Sequence, residues 1–313
     1  MTRTHASASV LDAIGNTPVV KLRRLVPPSN ADVLVKLEYI SPTGSYKDRL
    51  ALAMVAGAEA RGVLKPGMRV IEYTGGSTGS SLAMVCAAKG YPFLAITSDA
   101  FAEEKLATMR AMGAELHIIP SDQGKITPEL FRAMRGKAEA LAQEPGNFYA
   151  DQFHNPDAIA GYMAIGRELL AQVGDGFDVF CGAVGTGGMI VGVSRALKAA
   201  NCRARIVALE PASSPTLSTG KGGPHRVEGI GAGFWPPHLT REDFDEVRPM
   251  EESAARETAC RLAREEGIFA GTSTGLNVTA ALQLAQELGA GHTVVTVAVD
   301  TGLKYLAGDL YSA

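Results

Sequence analysis

Residues 178–200 read DVFCGAVGTGGMIVGVSRALKAA. The run from Val179 to Val184 has the length of a strand and is apolar on both of its faces. It meets the cluster Gly185-Thr186-Gly187-Gly188, and then Met189, Ile190, Val193 and Leu197 recur at helical spacing. A strand apolar on both faces belongs in a parallel sheet covered by helices. The glycine cluster has two readings. It is a tight strand-to-helix turn, or a cradle in which bare N–H groups and a helix N-terminus meet a phosphate. It is not a Walker A loop, since no G-x-x-x-x-G-K-[ST] occurs in the chain. It is not G-x-G-x-x-G either, because Ile190 takes the last position.

The same alternation continues outward in both directions. VLVKLE, RVIEY, PFLAIT, AELHIIP, RIVALE and HTVVTVAV read as strands, and helical patterns separate them, among them 127–143, 157–172, 251–266 and 275–289. The fold class is therefore α/β with mostly parallel sheets. Ligands of such sheets bind beyond the carboxyl ends of strands, which singles out the loops 41–47, 74–79, 185–188 and 300–302. The 313 residues are 46% hydrophobic and 20% charged with a net charge of −3, so no field invites nucleic acid or an acidic membrane surface. Cys86, Cys181, Cys202 and Cys260 form no CxxC and no metal-ligand spacing, which fits buried thiols in a cytoplasmic, reducing compartment. No apolar run is long enough for a membrane span, and the start MTRTHASASV lacks the apolar core of a signal peptide.

The loop SPTGSYKDR, Ser41 to Arg49, carries the chemistry. Ser45 and Asp48 have the S-x-x-D spacing of a capping box, and LALAMVAGA follows at once. Lys47 then falls in the first turn of a helix, where the macrodipole disfavours a cation by about 0.3–1 kcal/mol. A solvated surface lysine is the plain reading. The other is an amine kept available for Schiff-base formation, and with a phosphate cradle that describes a pyridoxal phosphate site. In TGGSTGSS, Thr74 to Ser81, Gly75-Gly76-Ser77-Thr78-Gly79 matches the nucleophile elbow G-x-S-x-G, but so does Gly271-Thr272-Ser273-Thr274-Gly275. A hydrolase also needs a later histidine on a strand-end loop; of His117, His154, His225, His238 and His292, the first and last read as strand residues and His225 and His238 lie in a Gly/Pro-rich loop, which makes a hydrolase a distant reading. Hydroxyls and bare N–H groups at a helix start better suit a carboxylate. The histidines and cysteines give no metal-ligand pattern, so no metal is expected.

Eight stretches in order resemble the cysteine synthase and cystathionine β-synthase family of fold-type II pyridoxal-phosphate enzymes. They are IGNTPVVKL, SPTGSYKDR, RGVLKPGMRVIEYTGGSTGSSLA, DQFHNP, GAVGTGGMIVGVSRALK, VEGIGAGF, EEGIFAGTSTG and DTGLKYL. The resemblance implies two three-layer α/β domains of the tryptophan synthase β-like kind. Residues 1–38 with 156–313 form the larger, cofactor-binding domain, and 39–155 the smaller, mobile one. It implies pyridoxal 5'-phosphate on Lys47, which also removes the substrate Cα proton. Gly185, Thr186, Gly187, Gly188 and Met189 surround the phosphate. Thr74, Gly75, Gly76, Ser77 and Thr78, with Gln152, hold the carboxylate of a small amino-acid substrate. Ser77 also stands by the cofactor, and Gly229 lines the entrance. Thr301 meets the ring nitrogen, with Asp300 as its competitor. The implied reaction is β-replacement on an activated L-serine, foremost cysteine synthesis from O-acetyl-L-serine and sulfide, in a homodimer. A cystathionine β-synthase-like, O-phosphoserine sulfhydrylase-like or specialised amino-acid synthase activity is the alternative, and a catalytically silent relative is a distant one.

Three motifs depart from that pattern. The carboxylate loop usually reads T-S-G-N-T, and here Gly75 and Ser77 replace its serine and asparagine. Met189 replaces a threonine, and Val299 a common proline. Gly75 leads to the expectation of more room over the substrate, a bulkier nucleophile and loose binding of O-acetylserine. Met189 leads to the expectation that Met189→Thr tightens cofactor binding.

Overall fold

The computed structural model describes residues 6–312. The first five residues and Ala313, which the domain and signal-peptide readings included, lie outside the described residues. In chain order the elements are β1 (Val19–Lys21), β2 (Asp32–Leu37), α1 (Lys47–Ala60), β3 (Arg69–Tyr73), α2 (Ser77–Lys89), β4 (Phe93–Ser98), α3 (Glu103–Ala111), β5 (Glu115–Ile119), α4 (Pro128–Ala142) and β6 (Asn147–Tyr149). Then come α5 (Pro156–Val173), β7 (Val179–Ala183), α6 (Gly188–Ala199), β8 (Arg205–Pro211), α7 (Thr216–Thr219), β9 (Glu246–Met250), α8 (Glu252–Arg261), α9 (Thr272–Leu288) and β10 (Thr293–Ala298).

The chain divides into two compact units. One holds residues 6–14, 41–43 and 47–161, and the other 15–40, 44–46 and 162–312. Residues 6–14 fall in the first unit, apart from 15–38, because the short turn Val10–Ala13 packs on α2. The first unit contains a wholly parallel sheet in the order β5-β4-β3-β6. Every residue of β4 is buried, as its unbroken apolar sequence requires, whereas the edge strand β5 is partly exposed. Ile71, Leu94, Ile96 and Met134 bring α4 onto this sheet.

The second unit contains the sheet β1-β2-β10-β7-β8-β9, parallel except for β1. Its core joins Val33, Val35, Val179, Val207 and Val294 to Leu276 and Leu284 of α9. Lys36 interrupts the apolar pattern of β2 yet is fully buried. Its ammonium is matched by Glu168 Oε2 at 2.8 Å, Gln172 Oε1 at 2.8 Å and the Thr17 carbonyl at 2.9 Å. A buried charge persists only with such partners.

Two helix boundaries differ from the sequence reading. The segment 251–266 is α-helical only to Arg261 and ends in a wider π turn over Leu262–Glu266, where the Glu266 carboxylate accepts the N–H groups of Arg23, Arg24 and Leu25. Helix α9 starts at Thr272, not 275. Its early hydroxyls bind backbone, Thr272 Oγ1 accepting Glu228 N–H at 3.2 Å and Thr274 Oγ1 accepting Val299 N–H at 2.9 Å. Three of the four cysteines are buried and Cys260 is half-buried, all as free thiols.

Candidate active site

In the first unit Lys47 is the first residue of α1 and is buried. The Asp48 carboxylate, one residue on, accepts the Thr43 N–H at 2.8 Å and the Thr43 hydroxyl. Proline-led loop and helix are thereby tied together just before the lysine.

Beyond β3 the chain turns into α2 through Thr74-Gly75-Gly76. Thr74 Oγ1 accepts the N–H groups of Gly76 at 3.3 Å and Gly79 at 3.2 Å, and Thr78 donates its hydroxyl to Gln152 Oε1 at 2.7 Å. The N-cap is Gly76, which has no side chain, and Thr74 Oγ1 takes the N–H of the third helical residue, at a helix start whose partial positive charge suits an anion. This unit therefore brings Thr74, Gly75, Gly76, Ser77, Thr78 and Gln152 into one loop cluster. The room expected over Gly75 is absent. A Cβ built there falls 2.2 Å from Cε1 of Phe101, whose ring fills the space. Across the loop, a Cβ on Gly76 stands 3.9 Å from the Lys105 ammonium nitrogen. Neither Phe101 nor Lys105 was singled out from sequence. Both follow the carboxyl end of β4, the strand beside β3, and that position is the signal that could have found them.

Glu72 was also not singled out. It lies fully buried on β3, its Oε2 accepts the Gln152 N–H at 3.1 Å, and its Oε1 has no hydrogen-bond partner among the described residues. Burial raises its carboxyl well above the usual carboxylate range, while the Gln152 bond and the Lys47 charge oppose this. A carboxyl that keeps its proton in the fold contributes stability that is full below the ordinary carboxylate range. That contribution is lost as pH rises through its own higher titration point. Glu72→Gln, which keeps an acceptor for Gln152, is expected to leave turnover near wild type and to flatten the fall of Tm with rising pH. Melting curves taken upward from the ordinary carboxylate range decide it, and an unchanged slope means that Glu72 is ionised.

In the second unit the cradle is built as its glycines require. Gly187 has φ +82° and forms the N-cap of α6 without a side-chain cap. A Cβ on Gly185 would lie 2.5 Å from the Gly229 carbonyl oxygen, and the Gly231 N–H donates to the Val184 carbonyl at 3.0 Å. Gly229, expected at the entrance, is thus held against Gly185. The Met189 side chain turns away into the core, where its methyl would lie 2.6 Å from a Cβ on Gly182. The expected gain from Met189→Thr is corrected accordingly. A smaller, hydroxylated side chain leaves a void and a buried polar group, and Tm is expected to fall, with a loss of about 2–4 kcal/mol in denaturant unfolding.

Asp300 and Thr301 follow β10. The Tyr46 N–H donates to the Val299 carbonyl at 3.1 Å and the Thr301 N–H to the Gly44 carbonyl at 2.9 Å, so the stretch 44–46 runs beside them. The Asp300 carboxylate accepts the Tyr305 hydroxyl at 2.9 Å, and burial pushes that phenol upward so that it stays a donor. Thr301 Oγ1 accepts the Leu303 N–H at 3.3 Å. The Gly271 N–H donates to the Asp300 carbonyl at 3.1 Å. Among the described residues no group of His, Cys, Asp and Glu is placed to hold a metal ion.

A cradle of glycine N–H groups at an uncapped helix start, closed to a Cβ at 185, fits a phosphate monoester. The model of the pyridoxal-phosphate dependent enzymes matches residues 10–300. The chain belongs to that family. As a member it is an enzyme that uses pyridoxal 5'-phosphate. Cysteine synthase of Staphylococcus aureus is 45% identical over 97% of this chain and 97% of that protein. O-ureido-L-serine synthase of Streptomyces lavendulae is 40% identical over 97% and 92%. The crystal structure of O-acetyl serine sulfhydrylase isoform 3 from Entamoeba histolytica superposes with a TM-score of 0.93 at 34% identity, covering 100% of this chain and 94% of that one. These family members share the α/β fold with mostly parallel sheets described above.

Proposed function

We propose that this enzyme catalyses β-replacement on an activated L-serine, making L-cysteine and acetate from O-acetyl-L-serine and sulfide. The 45% identity to a cysteine synthase across nearly the whole of both chains carries this reading. The cofactor, when bound, spreads over its ring the negative charge left by loss of the Cα proton. Lys47 holds the cofactor and, once displaced, accepts the Cα proton. It is the buried first residue of α1, shielded from bulk water as a base for that proton should be. The N–H groups at the start of α2, with Thr74, Thr78 and Gln152, hold the substrate carboxylate. Thr78 is fixed for this by its bond to Gln152. Gly185, Thr186, Gly187, Gly188 and the backbone of Met189 hold the phosphate, and Gly229 faces the entrance. The ring nitrogen takes Thr301, with Asp300 as its competitor. Buried Cys86 and Cys181, both pushed up to about 12 by burial, serve no nucleophilic role. The enzyme works as a homodimer in the cytoplasm, where its free thiols persist. Among the described residues no helix is long and apolar enough to cross a membrane.

The test is direct. O-acetyl-L-serine, O-phospho-L-serine and L-serine are each supplied with sulfide, and cysteine is measured. Cysteine formed fastest from O-acetyl-L-serine is the expected result, and its absence with all of them sinks the reading. A specialised amino-acid synthase is the second reading, favoured by the 40% identity to O-ureido-L-serine synthase and by Gly75 and Ser77.

A further inference from the structure

Gly75 and Phe101 occupy one volume. Cε1, Cδ1 and Cζ of the Phe101 ring lie 2.2, 2.4 and 2.4 Å from a Cβ placed on Gly75, well inside any real contact. The ring is held where it stands. The Phe101 N–H donates to the Ser98 carbonyl at 3.3 Å, and the Ala100 N–H donates to Ser98 Oγ at 3.2 Å. The Asp99 carboxylate fastens the turn by accepting the Ser98 hydroxyl at 3.1 Å and the Ser121 N–H at 2.8 Å. The ring itself tilts against Phe131, centroids 6.2 Å apart, and borders the apolar core of its sheet. The next residue of the loop borders the Lys105 side chain instead, whose Cδ and Nζ stand 3.4 and 3.9 Å from a Cβ on Gly76. The loop thus has an apolar wall at one residue and a cation at the neighbouring one.

We propose that Phe101 determines specificity at the 74–78 loop, standing in for a side chain at 75 and presenting an apolar wall to the part of the substrate or nucleophile beyond the carboxylate. This rests on the reading that the loop holds the substrate carboxylate. The carboxylate lies toward Lys105, and the ring favours nucleophiles with an apolar or aromatic body over small hydrophilic ones. A polar side chain at 75 and the ring at 101 exclude each other, so the two positions are coupled in function as well as in packing.

The experiment uses cofactor-loaded wild type, Gly75→Ser, Phe101→Ala and the double variant. kcat and KM are measured for O-acetyl-L-serine with sulfide, a short alkyl thiol and benzenethiol, together with Tm. Gly75→Ser is expected to lower kcat/KM about tenfold or more, and the double variant to recover most of it, as overpacking relieved by a truncation should. Phe101→Ala alone is expected to lower the preference for benzenethiol over sulfide by about tenfold. Gly75→Ser with wild-type kinetics overturns the proposal. So does coupling seen in Tm while KM and thiol preference stay unmoved, which makes the ring a packing residue only. If wild type turns over no thiol, β-replacement fails. The four proteins are then titrated with L-serine and L-methionine by cofactor absorbance. A weaker methionine preference in Phe101→Ala upholds the wall, and equal preferences overturn it. Thr78→Ala with unchanged KM refutes the carboxylate loop separately.

Discussion

Lys47→Ala is expected to abolish turnover while the protein still folds and still takes up cofactor without a covalent link. The side chain is short of solvent at the first turn of α1, so its removal leaves a small void at a helix end and no broken core. The chemistry loses both its anchor and its base. A positioned general base alone contributes about 10²- to 10⁴-fold, and loss of covalent attachment adds to that. Lys47→Arg is expected to fail as well, because a guanidinium keeps its proton and forms no Schiff base at neutral pH. Borohydride reduction of wild type followed by peptide mapping should place the label on Lys47, and the alanine variant should take none. A label on another lysine, or turnover retained by the variant, removes the basis of the proposed reaction.

Gly185→Ala is expected to produce the next largest effect, on cofactor affinity. Its methyl would stand 2.5 Å from the Gly229 carbonyl oxygen, which is backbone and cannot swing aside as a side chain can. Relief requires the cradle or the 229–231 stretch to move, and overpacking of this kind costs about 1–3 kcal/mol, or roughly 5- to 150-fold in a dissociation constant. Gly176→Ala, with nothing within 4 Å of its added methyl, is the control in the same unit. Cofactor titration of both variants decides the matter. Equal affinities would show that the cradle tolerates a side chain at 185 and does not grip a phosphate closely.

The alternation of strands and helices was legible because buried parallel strands repeat one signal, unbroken apolar runs ending in glycine or hydroxyl loops. The Lys47 and cradle readings rest on signals of the same one-dimensional kind, a misplaced charge and clustered glycines. Phe101 was not. Its importance comes from a glycine 26 positions earlier whose missing side chain it replaces, and only packing reveals such an exchange. Glu72 and Lys36 were hidden inside strand patterns, because a strand tolerates a charge wherever a distant partner or a retained proton meets it. The early start of α9 was missed because its hydroxyls mimic a loop, and their backbone partners, Glu228 and Val299, lie 44 and 25 residues away. Met189 read as a lost phosphate donor because sequence order places it beside the cradle, while its side chain turns back toward Gly182.

The six-stranded sheet also constrains how the chain is made. β2, near the start, pairs along its length with β10, near the end, and β10 separates β2 from β7. As the nascent chain leaves the ribosome, β2 and β7 each present an unpaired apolar edge until residues 293–298 emerge and fill the gap between them. The four-stranded sheet has no such wait, because β3 to β6 all lie within residues 69–149. Synthesis therefore delivers one finished sheet early and leaves the other open until residues 293–298 emerge. The open edges are the surface on which chaperones act and at which truncated chains aggregate.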